Sequence, residues 1–132
     1  MESVETPTTR FLVRDDGIVE ARGINPETPR TEETVNAAMN ALVEIAGGKR
    51  RPMLWDVRNL SIGTPGSRVA FVARLSETVS ALGLLVDSKI EDSLMSAVEA
   101  YSPIVEALLV PVQLFHDEAE AVAWLQGFVG LA

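Results

Sequence analysis

Cysteine is absent from this chain of 132 residues, which excludes disulfides, thiolate nucleophiles and cysteine–zinc sites. Histidine occurs once. A hydrolytic triad would have to use His116, and no Gly-x-Ser-x-Gly elbow accompanies it. A metal site would have to recruit the same residue with Asp117 and Glu118, which are more simply the cap and first turn of a closing helix. Long apolar runs are missing too: the longest, around Ala81–Val86 and Ala107–Val112, fall far short of the ~20 residues that span a bilayer. Basic residues are the minority, 11 Lys and Arg against 19 Asp and Glu for a formal net charge of −8. That balance, with a pI near 4.6, disfavours nucleic acid and anionic membrane surfaces as partners. The N-terminal residues have neither a basic start nor an apolar run, so no secretory signal is expected and a cytoplasmic location is.

What is present is the composition of an ordinary globular protein, 47% hydrophobic and 23% charged, long enough for one domain with a real core. Residues 1–9 are polar with an early proline and read as a loose leader, leaving 10–132 as a single domain. Phe11-Leu12-Val13 and Ile18-Val19-Glu20-Ala21 flank Asp15-Asp16-Gly17, a hairpin whose Asp-Gly supplies positive φ angles. Thr31 caps a helix that begins at Glu32-Glu33, carries Val35, Ala38, Met39, Leu42, Ile45 and Ala46 at helical spacing, and ends at Gly47-Gly48. Lys49-Arg50-Arg51 and Pro52 lead into Met53–Val57, read as a buried central strand. Gly66 or Ser67 opens a second helix, with Val69, Val72, Leu75, Val79 and Leu82 as its apolar stripe, widened by Phe71, until Gly83 breaks it.

Leu84-Leu85-Val86 reads as another buried strand, and Ser88-Lys89-Ile90-Glu91 has reciprocal capping spacing for a helix through Ile90, Leu94, Val98 and Tyr101. Pro103 either interrupts that helix or begins a new turn. Pro111 introduces Val112–Phe115 as a strand near an edge, and Asp117 opens a final helix of Ala121, Val122, Trp124, Leu125, Phe128 and Val129. The order β-β-α-β-α-β-α-β-α predicts an α/β fold: a mixed sheet of about five strands starting with an N-terminal hairpin, and about four helices packed on it.

Few residues carry chemistry. Asp56 closes an apolar run, where an acid needs a reason, and Arg58 points to the same side if the strand persists, so the two pair or face a ligand together. Trp55 points to the opposite face, as a core residue or a ligand platform. Asp15-Asp16 and Glu32-Glu33 belong to a turn and a helix start, and Gly47-Gly48-Lys49 lacks phosphate-loop spacing. The segment Thr64-Pro65-Gly66-Ser67 is the best functional candidate. A hydroxyl there sits at a helix N-terminus that welcomes anions, making Thr64 or Ser67 a candidate phospho-acceptor; the plain alternative is an N-cap.

The hairpin, Leu54-Trp55-Asp56-Val57-Arg58, Leu84-Leu85-Val86, Val112-Gln113-Leu114-Phe115 and Glu120-Ala121-Val122-Ala123-Trp124-Leu125 together resemble the STAS-type fold. Within it they resemble the small bacterial proteins related to anti-sigma-factor antagonists, often described as STAS/SEC14-like. The antagonists carry Asp-Ser-Ser/Thr-Gly after the central strand, the acceptor of a switch kinase. Here Thr64 falls where the acid would be and Ser67 where the glycine would be, so the resemblance carries the location of an interaction surface rather than a kinase-controlled switch.

The resemblance implies a non-catalytic regulatory module working through protein–protein contacts, with Leu60–Phe71 as its interface and Thr64, Gly66, Ser67 and Arg68 at the centre. Its SEC14-like half implies an alternative, a carrier or sensor of a small apolar, lipid-like ligand, lined by Trp55, Phe71, Met95 and Tyr101. An enzyme built on Asp56 and Arg58 lacks a second acid–base group. The expected partners are thus a protein and, through a leftover edge strand or helix face, a second copy of the chain as a homodimer. No nucleic acid, membrane insertion, cofactor or metal is expected.

Overall fold

Consecutive β-α-β units dictate the layering of this protein. The computed structural model describes residues 3–58, 65–88, 90–107 and 110–129, and of 65, 97 and 101–107 the backbone alone. Six strands, β1 (Ser3–Glu5), β2 (Thr9–Val13), β3 (Val19–Gly23), β4 (Arg51–Asp56), β5 (Val79–Leu85) and β6 (Val112–Phe115), lie side by side in chain order. The first two pairings are antiparallel and the last three parallel. Parallel neighbours need right-handed crossovers. Because every crossover steps in the same direction, α1 (Glu32–Ile45), α2 (Pro65–Thr78) and α3 (Glu91–Ala107) share one face. The last helix, α4 (Glu118–Gln126), turns back onto the other.

Two apolar clusters record this division. Phe11, Val19, Ala21, Met53, Leu82 and Leu84 meet Ala38, Met39 and Leu42 of α1, Leu75 of α2 and Ile90. Ile18, Leu54, Ala81, Leu85 and Phe115 meet Ala121 and Leu125 of α4. Alternation along β4 sends Met53, Trp55 and Val57 toward the three helices and Leu54 and Asp56 toward α4. The expected mixed α/β domain with an N-terminal hairpin is therefore what forms, with β4 inside the sheet.

Local chemistry explains most boundaries. The hairpin turn is a three-residue loop in which Gly17 alone adopts positive φ, +89°, with Gly17 N–H donating to Arg14 O and Arg14 N–H to Ile18 O. Asp16 Oδ1 accepts from Ile18 N–H. Thr31 caps α1 through a reciprocal pair with Thr34, and Gly47 and Gly48 end it at φ +69° and +76°. Pro52 sits at a register irregularity in β4, where a strand tolerates a missing donor. Asp87 Oδ1, rather than Ser88, accepts from Ile90 N–H before α3. That helix runs through Pro103.

Four features depart from expectation. Ser3–Glu5, in the stretch read as a loose leader, pairs with β2, Val4 opposite Phe11, and Thr8 and Thr9 are buried. Val69 is 55% exposed, so it does not belong to a buried stripe on α2. Val79 and Leu82 lie in β5, not in α2: the helix ends at Thr78 and the strand starts at the next residue. A strand buried on both faces reads as a continuous apolar run, and such a run can mimic helical spacing.

Gly83, where the pattern predicts a helix break, instead sits mid-strand under α4. An added Cβ there would lie 3.3 Å from Leu125 Cδ1 and 3.5 Å from Phe115 Cε2. Gly83→Ala is expected to destabilise the protein by about 1 kcal/mol through overpacking. Urea titration checks this; an unchanged or raised midpoint would mean that Leu125 repacks freely.

Candidate functional site

The strand end at Trp55-Asp56-Val57 faces two environments, because successive side chains alternate. On the α4 side is an ion-pair cluster. Asp56 Oδ2 accepts from Arg22 Nη1 at 2.7 Å and Arg58 Nη2 at 2.8 Å, and Asp56 Oδ1 from Arg58 Nε at 3.0 Å and its backbone N–H at 3.1 Å. Arg22 lies beside Asp56 in the parallel register and also reaches Glu118 at 3.0 Å in the first turn of α4. Burial alone would raise the Asp56 carboxyl. The hydrogen bonds from Arg58 and the charges of Arg58 and Arg22 outweigh it and hold the group below the ordinary carboxylate range. Asp56 and Arg58 thus neutralise each other, and with Arg22 and Glu118 they tie β3, β4 and α4 together.

On the other side lies a cavity of about 530 Å³ between the sheet and the α1–α3 layer, within the ~300–1,000 Å³ of small-molecule sites. Its existence follows from helix placement. α1 packs along α2 over β1 and β2, while among the described residues α3 touches α2 more than it touches any strand. Leu94 and Val98 of α3 pack on the core cluster, and among the described residues the space left beside them forms the cavity. Trp55, Val57 and Leu84 line the floor, Phe71 and Val72 of α2 and Leu94 and Val98 of α3 the roof.

Trp55 and Phe71 meet across it with ring centroids 4.8 Å apart, tilted by 43°. The indole Nε1–H of Trp55 is buried and has no hydrogen-bond partner among the described residues. Such an orphaned donor costs about 1–3 kcal/mol.

The polar lining gathers at the carboxyl ends of β3 and β4, where open α/β sheets place their ligands. Thr8, Thr9, Gly23, Arg30, Ser67 and Arg68 lie there. The Arg30 guanidinium is held by backbone carbonyls, Nη1 on Asn25 at 2.8 Å and Thr28 at 2.7 Å, Nη2 on Thr8 at 3.2 Å and Ile24 at 2.7 Å. Burial pulls its pKa below the ordinary value, against the opposing charge of Glu27. Among the described residues no carboxylate or imidazole lines the cavity.

The sequence candidates therefore separate. Trp55 and Phe71 line the cavity together. Met95, 43% exposed, points outward, since Leu94 and Val98 take the inner face of α3. Of Tyr101 only the backbone is described, and Thr64 lies outside the described residues. Gly66 is exposed, whereas Ser67 is 2% exposed and turned toward the cavity with Arg68, not outward as a surface hydroxyl. Asp117 caps α4 through Ala119 N–H, and His116 Nε2 rests 3.1 Å from Glu91 Oε1. No cluster of three or more metal-ligating side chains occurs among the described residues, and no helix there is long and apolar enough to cross a membrane.

Thr8, Thr9 and Arg30 carry no sequence signal for a site: they stand in the N-terminal stretch and in a proline-flanked loop, and only the fold brings them to one rim. The chain belongs to the family described as Domain of unknown function (DUF7793), whose model matches residues 11–129. No curated protein and no solved structure matches it.

Proposed function

We propose that this member of the family is a non-catalytic binding protein for a small apolar ligand, a carrier or sensor. The observation that carries the reading is the cavity walled by Trp55 and Phe71, of a size that takes a single-chain ligand. Among the described residues its lining offers donors and apolar surface, with no acid–base pair to perform a reaction. The second reading, a protein-interaction module acting through Leu60–Phe71, draws support from Val69, a large apolar side chain exposed beside Gly66 on the first turns of α2. A cytoplasmic location and a homodimer fit either reading.

Titration with hexadecanol is expected to show saturable binding at a single site with a rise in Tm. Val72→Phe, which extends a ring into the cavity, is expected to weaken this binding at least tenfold while the far-UV circular dichroism is retained. Absence of saturable binding by the wild-type protein would remove the reading and leave the interaction module in its place.

A further inference from the structure

Most arginines with described side-chain contacts answer a carboxylate: Arg10 with Glu5, Arg14 with Asp16 and Glu20, Arg22 and Arg58 with Asp56, and Arg74 with Glu77. Arg30 does not. Its four Nη–H donors end on neutral carbonyls, and among the described residues no carboxylate comes within ion-pair distance and nothing accepts its Nε–H. Arg50 and Arg51 also rest on carbonyls, but they stand at the opposite, amino end of β4 and do not line the cavity. A guanidinium held by backbone carbonyls at the rim of an apolar chamber, with Glu27 near enough to be felt but in no direct ion pair with it, has room for an anion at its Nε–H.

The neighbouring hydroxyls point the same way. Thr8 and Thr9 are 3% and 6% exposed, and their Oγ1 atoms lie 3.3 Å apart in one mutual hydrogen bond. Two hydroxyls own two protons and that bond consumes one, so one donor is left over at the rim where Arg30 Nη2 meets Thr8 O.

We infer that the bound ligand is a single-chain amphiphile with an anionic oxygen head, a long-chain carboxylate, seated with its head against Arg30 and the Thr8–Thr9 hydroxyls and its chain along Trp55 and Phe71. This rests on the apolar-ligand reading above. A carboxylate offers two oxygens and one charge, which match one guanidinium N–H, one hydroxyl proton and one cation. No carboxylate lines the cavity among the described residues to repel it.

Equilibrium dialysis of the wild-type protein against hexadecanoate and methyl hexadecanoate at pH 7.5 tests this without altering the fold. The acid is expected to bind at least tenfold tighter than its ester. Arg30→Gln should abolish that preference and Arg30→Lys retain part of it. Thr9→Val, close in volume, should weaken the acid several-fold and leave the ester unchanged, a control for any loss of folding in Arg30→Gln. Equal affinity of acid and ester, or preference for the ester, overturns the anionic head while the apolar-ligand reading stands. Failure of both to bind overturns the two together.

Discussion

Truncating Leu125 to alanine is expected to cost about 3 kcal/mol of stability, more than the loss of any surface contact in this protein. α4 spans nine residues, too short to persist as a helix without packing, and among the described residues it is the one helix set against the second face of the sheet. Leu125 is fully buried, with Ala121 as the only other fully buried side chain of that helix. Its Cδ1 sits above Gly83. Glycine has no side chain to move into the space, so the void left by alanine cannot close, and cost at such sites rises with the cavity that remains. Urea unfolding should show a lowered midpoint with an unchanged m-value. A loss below about 1 kcal/mol would mean that α4 does not dock through Leu125.

Asp56→Ala is expected to lower stability by roughly 2 kcal/mol at pH 7, because it removes the direct ion pairs of Arg58 and Arg22 with Asp56 and leaves Arg22 paired with Glu118. The Asp56 side chain is 13% exposed, whereas those of Arg22 and Arg58 are 42% and 44% exposed and stay partly solvated, which keeps the cost below that of breaking a fully buried pair. The sign of the pH dependence follows from its depressed carboxyl. A group whose folded pKa lies below its unfolded value, about 3.9, contributes its full stability above that value and loses it as pH falls through the folded pKa. Wild type and variant should therefore differ most near neutrality and converge in acid, where wild-type Asp56 is protonated. A stability gap that stays constant from pH 7 into the acid limb would show that the loss comes from packing and not from the carboxylate.

Much of this architecture was legible in the residues. Thr31 before Glu32-Glu33, Gly47-Gly48 after Ala46 and Asp117 before Glu118 mark helix ends because capping is a contest between side chain and backbone over a few atoms. Asp56 and Arg58 do pair, but not through strand alternation: β4 ends at Asp56, and the turn beyond it brings the Arg58 backbone N–H and guanidinium back onto the carboxylate. The boundary between α2 and β5 was not legible. Val79 and Leu82 continue a helical spacing, and only the parallel pairing of Leu82–Leu85 with β4 and β6 shows that the backbone there is extended. Trp55 and Phe71, which line the cavity, were named for a pocket only through the family resemblance and suited a core equally well; Met95 was named with them, and Arg30, Thr8 and Thr9 gave no sign.

By itself, then, the order of hydrophobic and polar residues determined the α/β class, the hairpin, the caps and the division of β4 into two faces, since each of these is an interaction within a few residues of chain. The tertiary structure decided the rest: that Ser3–Glu5 joins the sheet, that a cavity remains between the sheet and the α1–α3 layer, and that the Arg30 guanidinium and the hydroxyls of Thr8 and Thr9 at the start of β2 meet at its rim. A cavity is the volume that packing fails to fill. It depends on how several helices settle against one another, and no single segment carries its signature.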